Sequence, residues 1–173
     1  MTAPSEIPSN ETPAGHHLAR FAVPFHEPGP DGKIGIVPLA NYLQQAAGEH
    51  AEQLGIGAAD LAQRDLYWVL TRQFIRIARL PAAREEIIVN TWPSRRPRQL
   101  FFRDFRVTDP NGELVATATS AWALIEGSAR KAIRGPSWLI ERIVHDDVRA
   151  AEFPTRAIPR RQAHELERPI APR

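Results

Sequence analysis

Two periodicities divide this chain. HLARFAVPF, residues 17 to 25, alternates polar and apolar positions and predicts a strand, with Pro24 placing it at a sheet edge or near its own end. EPGPDGKIG, which follows, reads as loop from its Gly and Pro content. From residue 38 to about 54 the repeat changes to that of a helix: Leu39, Leu43, Ala46, Ala47, His50 and Leu54 fall on one side of the wheel, and Gly55 and Gly57 supply the stop. A short second helix is expected at 58 to 64, followed by four long strand signals at 66 to 80, 85 to 94, 99 to 109 and 113 to 126. DPNG, residues 109 to 112, predicts a hairpin turn, with Pro110 and Gly112 suited to the bend and Asn111 tolerant of positive φ, so the strands on either side should pair antiparallel. A small strand around RKAIR and a short helix in PSWLIERIV complete the order.

That order, a strand, a long helix and then a meander, has a physical consequence. An antiparallel meander has one face to bury, and a single long helix early in the chain is the element available to cover it. The expectation is an α+β fold in which the sheet wraps one central helix, the hot-dog arrangement. With 173 residues and 43% hydrophobic side chains, the chain suits one domain with a sizeable core. We expect an extended N-terminal tail over residues 1–16, the folded domain over 17–148 and a Pro- and Arg-rich C-terminal extension over 149–173. No apolar run approaches the roughly 18 residues of a membrane span and the first residues show no basic-then-apolar signal, so a cytoplasmic protein without a membrane span is expected.

Composition removes several chemistries. The absence of cysteine excludes disulfides, thiolate catalysis and Cys-based metal sites. Lysine occurs only at Lys33 and Lys131, which leaves few candidates for a Schiff base. No G-x-S-x-G elbow is present, and the pair His16 and His17 falls at the edge of the tail, so neither a serine nucleophile nor a metal is expected, and no cofactor. The formal charge of +2 is too small for strong polyanion binding, and nucleic acid is not an expected partner. The local cluster of Arg95, Arg96, Arg98 and Arg103 matters more than the total.

Several stretches carry a family resemblance. Asn41, Leu43, Gln44 and His50 in the helix, Trp68, Val69, Thr71 and Arg72 in the next strand, and Thr91 with Trp92 resemble, in register over about residues 20 to 148, the N-terminal half of bacterial and plant acyl-ACP thioesterases. The resemblance implies the hot-dog fold and hydrolysis of an acyl thioester carried on acyl carrier protein or CoA. Members of that family hold two hot-dog repeats in tandem, with catalytic Asp, Asn and His on a D-x-N-x-H loop of the second. Here the equivalent loop is DGKIG, in which Asp31 matches but Lys33 and Gly35 stand where Asn and His would be, and the chain ends about where a second repeat would begin.

The candidate residues follow from both lines. In several hot-dog lineages a helix carboxylate activates water or attacks the thioester, which nominates Glu49; a solvated helix glutamate is the alternative. Asp31 is the second carboxylate, or an ordinary residue of an Asp-Gly turn. Pro38 suits the first helical position and Val37 cannot cap, so the N–H groups of Leu39, Ala40 and Asn41 are expected to lack acceptors and to be able to hold a developing oxyanion, with Asn41 adding a side-chain donor. His50 points inward, either as a neutral imidazole satisfied within the core or as a base. Gln45 and His50 are assigned to substrate binding. Arg95, Arg96 and Arg98 would meet the phosphates of phosphopantetheine or CoA, or an acidic carrier protein.

The expected function is therefore carboxylate-assisted hydrolysis of acyl-ACP or acyl-CoA by a homodimer. A non-catalytic acyl-binding or partner subunit, or a hot-dog dehydratase or hydratase, stands as the alternative.

Overall fold

A computed structural model describes residues 12–96 and 99–153. The order is β1 (His17–Ala22), α1 (Ile36–Gln53), α2 (Ala58–Ala62), β2 (Leu66–Ile77), β3 (Glu86–Arg95), β4 (Leu100–Thr108), β5 (Leu114–Glu126), β6 (Lys131–Ile133) and α3 (Ser137–Ile140). One antiparallel sheet runs β1-β3-β4-β5-β2, with β6 continuing beside the end of β5. The α+β hot-dog arrangement is thus the observed one, with β1 and β2 at the two edges.

The helix is wrapped because small residues let it lie close to the sheet. Ala46 and Ala47 of α1 share a buried cluster with Ala116 and Ala118 of β5, and Leu39, Leu43, Ile87, Val89, Phe105 and Val107 fill the space between them. Phe105 is fully buried at the centre, so its truncation to Ala is expected to cost about 3–5 kcal/mol. A second cluster, built on Ile56, Leu61, Leu66, Phe101, Leu124 and Leu139, closes the end where α2 and α3 meet the sheet. Trp68 lies against this cluster and donates to the Ile56 carbonyl at 3.0 Å, which ties β2 to the loop after α1.

Local geometry departs from expectation at the start of α1. The helix begins at Ile36, with extended Gly35 as its cap and no side-chain capping bond. Pro38 therefore sits third in the helix, a position in the first turn where no amide hydrogen is needed. The Leu39 N–H is already donated to the Gly35 carbonyl at 3.4 Å, and Ala40 and Asn41 lie beyond the first turn, so the row of open donors expected at Leu39, Ala40 and Asn41 is not there. The other end follows the sequence: Gly55, at φ +65°, receives the chain as it leaves the helix. In the β4–β5 turn it is Gly112, at φ +86°, and not Asn111 that takes the positive φ, while Asp109 Oδ1 accepts the N–H groups of Asn111 and Glu113, each at 2.9 Å.

The outer face of the sheet is also covered. His16, placed in the N-terminal tail by its sequence, stacks on Trp92 with ring centroids 4.6 Å apart and bonds Asn90 and Asp146 at 3.1 and 2.8 Å. Beyond Asp146 the chain stays docked. The Val148 carbonyl accepts from Trp92 at 2.9 Å, Asp104 Oδ1 accepts from the Ala150 amide at 3.0 Å, and Phe153 packs edge-on against Phe102. Residues 149 to 153, the first of the C-terminal extension, thus form part of the folded layer. Among the described residues no helix is long and apolar enough to cross a membrane.

Candidate active site

Helix α1 turns different chemistry to its two sides. Toward β1, Glu49 accepts from His17 Nε2 at 3.2 Å through one oxygen and from Gln45 Nε2 at 3.1 Å through the other. Both carboxylate oxygens have partners. The His17 ring lies nearly parallel to that of His50, with centroids 5.6 Å apart, so this flank is a closed polar seam between strand and helix.

Beneath the helix, His50 meets an arginine. On β4 alternate residues face α1, and Phe101 and Phe105 bracket Arg103, whose side chain is directed inward by that period of two. Arg103 Nη1 donates to His50 Nδ1 at 3.0 Å and to Thr91 Oγ1 at 3.3 Å, and Thr91 in turn donates to the Asp104 carbonyl at 3.0 Å. Because guanidinium only donates, His50 Nδ1 is the acceptor and the ring proton resides on Nε2. Burial, and then the Arg103 charge, push the His50 pKa down to about 3. The imidazole is neutral at physiological pH. Burial lowers the Arg103 pKa to about 10, which leaves it charged at neutral pH. Among the described residues no carboxylate pairs with it.

The opposite flank of α1 opens onto a cavity of about 300 Å³, and Arg103 is part of its wall. Ala47, Gly48 and Ala51 of the helix, Trp68 of β2, Phe101 of β4 and Trp122 of β5 make the lining mostly apolar. Gln44 also lines it, and its buried Nε2 has no acceptor among the described residues. Among the described residues Glu52 is the one carboxylate of the wall, and His145 lies on the same wall with its pKa lowered by burial and secondarily by Arg96. The pocket thus joins an apolar interior to two buried donors, the layout of a site for a hydrocarbon body that carries an oxygen.

The sequence-derived residues distribute unevenly around this pocket. His50 is present behind it, holding Arg103. Glu49 and Gln45 face β1, away from the lining. Asp31 lies exposed in the loop before α1, where its Oδ1 accepts the Lys33 amide at 3.1 Å, and Asn41 lies on the exposed side of the helix. Arg95 and Arg96 place their guanidinium carbons 4.3 and 5.7 Å from the ring centroids of Phe102 and Phe101, beside the pocket wall, while Arg98 lies outside the described residues. Among the described residues no group of 3 potential metal ligands is gathered. Sequence reasoning selected neither Arg103 nor Gln44 nor Glu52 as a site residue. The period of two through FFRDF carries the signal for Arg103, because it places positions 101, 103 and 105 on one face.

A single sheet wrapped on one long helix, with an apolar pocket opened along the helix flank, defines a hot-dog domain. The chain belongs to the acyl-ACP thioesterase N-terminal domain family, whose model matches residues 15–143. Its relatives include the chloroplastic acyl-(acyl-carrier-protein) hydrolase FATB3 of Cuphea viscosissima, 30% identical over 131 residues that make up 72% of this chain and 32% of the relative. The chain thus spans about a third of the length of the curated relatives it matches. Among solved structures, an acyl-ACP thioesterase from Bacteroides thetaiotaomicron superposes with a TM-score of 0.73 at 30% identity, over 82% of this chain and 58% of that one. A 1,4-dihydroxy-2-naphthoyl-CoA thioesterase from Synechocystis shares the fold, with a TM-score of 0.68 at 14% identity, over 75% of this chain and 96% of that one.

Proposed function

We propose that this domain serves the hydrolysis of acyl thioesters, presented on acyl carrier protein or CoA, with the acyl group in the pocket beside α1. The observation that carries the reading is an apolar cavity whose wall holds Arg103, bonded through Nη1 to the neutral His50 and Thr91, and Gln44, whose buried Nε2 has no acceptor among the described residues. A thioester carbonyl supplies the missing oxygen, and donors held in a low-dielectric site stabilise the oxyanion that forms as water attacks. In that step a carboxylate takes one proton of the water as the water oxygen bonds to the acyl carbon, and the C–S bond then breaks as the carboxyl group passes that proton to the leaving sulfur, releasing free acid and thiol. Glu52, a carboxylate of the pocket wall, is our candidate for that base. Glu49 and Asp31 are the carboxylates nominated by sequence, and Asn41 the nominated donor. They enter the same test.

Arg95 and Arg96, stacked beside the wall, suit the phosphates of a phosphopantetheine arm or CoA. A homodimer is proposed through β2, an edge strand on which Tyr67, Val69 and Leu70 are exposed and whose outer backbone groups would pair with a second copy. A cytoplasmic location fits a chain without cysteine.

Release of free thiol from a panel of acyl-CoA and acyl-ACP thioesters tests the reading. Turnover that falls in Glu52→Gln, beside Glu49→Gln and Asp31→Asn as comparisons, supports it, and thiol release no faster than buffer for every chain length overturns it. A second reading, acyl binding without cleavage, is favoured by the full occupation of Glu49 by His17 and Gln45. Its mark would be a thioester-dependent rise in melting temperature without turnover.

A further inference from the structure

A pocket that served only to hold a hydrocarbon chain would have no use for a buried cation. Taking a guanidinium out of water costs several kcal/mol unless its charge and its N–H groups find partners. Arg103 is 9% exposed, and its bonds to His50 and Thr91 both leave from Nη1. Both of those partners are neutral. Among the described residues these two are the side-chain hydrogen bonds of Arg103, and Gln44 Nε2 on the facing helix is buried without an acceptor. The rest of the wall is mostly apolar, with Ala47, Ala51, Trp68, Phe101 and Trp122 among its residues, and Glu52 and His145 as its other ionisable groups. The wall thus sets one buried cation and the Gln44 amide among mostly apolar groups, and Glu52, a carboxylate of the same wall, forms no ion pair with Arg103 among the described residues.

We propose that the pocket retains a free fatty carboxylate, with its anionic head on the Arg103 guanidinium and the Gln44 amide and its chain between Trp68, Phe101 and Trp122. This rests on the hydrolase reading in one respect: the retained acid is the product of that reaction. Substrate and product differ in charge. A neutral thioester offers a carbonyl oxygen to the donors, whereas the released acid, with an ordinary carboxylate pKa, is an anion at neutral pH and also neutralises the buried cation. Hydrogen bonds between ionised partners are roughly twice as strong as neutral ones, and Arg meets a carboxylate with two parallel donors. The site is thus better matched to what is released than to what enters. The expected consequence is competitive inhibition by free fatty acid.

The test compares decanoate with methyl decanoate, two ligands of equal chain and different head charge, by quenching of tryptophan emission and by melting temperature in the full chain at neutral pH. Decanoate is expected to bind at least about tenfold more tightly than the ester and to raise the melting temperature, a preference of about 1.4 kcal/mol. The preference should vanish in Arg103→Met and persist in Arg103→Lys, and decanoate affinity should fall in Gln44→Leu. Equal affinity for acid and ester in the unmodified protein, or no binding of decanoate, overturns the proposal. Those two results need no variant, so they decide the matter even if Arg103→Met does not fold. Thiol release separates the two readings: acid-selective binding without thiol release contradicts the hydrolase and leaves the carboxylate site standing. Thiol release without acid selectivity does the reverse.

Discussion

The two flanks of α1 carry similar side chains in different states of satisfaction. On the β1 side, Glu49, Gln45 and His17 close a circuit in which each oxygen of the carboxylate has a donor. On the pocket side, Gln44 sits one residue before Gln45, yet its amide nitrogen is buried without an acceptor, facing a cavity that also exposes a wall of Arg103. Polar residues that are fully paired hold elements together, whereas a buried donor without an acceptor beside a cavity is available to a ligand or a water. The proposed function thus assigns Glu49 to the scaffold side of the helix and Gln44 to the working side.

Substitutions on the two flanks sharpen this contrast. The largest effect is expected from the pocket donors and base: Arg103→Met should lower thioester turnover by about 10²–10³-fold, the scale of losing one oxyanion donor. Glu52→Gln should lower it by about 10²-fold or more, the scale of general-base assistance, and Glu49→Gln by far less. Equal losses from Glu49→Gln and Glu52→Gln in a thiol-release assay would erase the distinction between the flanks.

The His50–Arg103 contact comes next. His50→Leu removes the acceptor of a buried guanidinium and should cost about 1–3 kcal/mol in denaturant unfolding, whereas His50→Asn, which can return an oxygen near the Nδ1 position, should cost less. Its pH dependence has a definite sign. The folded pKa of about 3 lies below the unfolded value of 6.5, so the unfolded chain binds the extra proton. This contribution is fully present above about pH 6.5 and is lost as the pH falls toward 3, with a slope of at most about 1.4 kcal/mol per pH unit for one proton. His50→Asn should flatten the stability profile over that window. An unchanged slope would mean that the imidazole is not the group being charged.

The smallest expected effect is a gain. A Cβ at Gly48 would meet nothing within 4 Å, so Gly48→Ala should stabilise α1 by about 1 kcal/mol through helix propensity, read as a higher melting temperature. The same open space is pocket. Gly48→Leu should keep much of that stability while selectively lowering turnover of the longer acyl thioesters.

Most of the architecture was legible from periodicity. The switch from period two to a helical repeat and back placed α1 and the four long strands, because burial on one face dictates both patterns. The start of α1 was not, since Gly35 caps with its backbone alone and leaves no side-chain signature, which shifted the helix two residues toward the N-terminus. His16 was read as tail because a single residue before a strand carries no periodicity, and its partners Asn90, Trp92 and Asp146 are far away in sequence. For the site, the helical wheel placed Glu49 and Gln44 on opposite flanks, but which flank opens depends on strands β2, β4 and β5. No local pattern reports that. Arg103 lay in plain view inside an arginine cluster read as a whole, although the alternation of β4 turns it inward with Phe101 and Phe105, while a bulge after Pro93 sets Arg95 opposite Phe102.

The most direct test of the pocket as the acyl site is anomalous diffraction from crystals of the protein grown with a terminally brominated fatty acid. A bromine peak inside the cavity bounded by Trp68, Phe101 and Trp122, with carboxylate density against Arg103, is the result this account predicts. A bromine peak on the β1 side of α1, near His17 and Glu49, with the cavity empty, would contradict it.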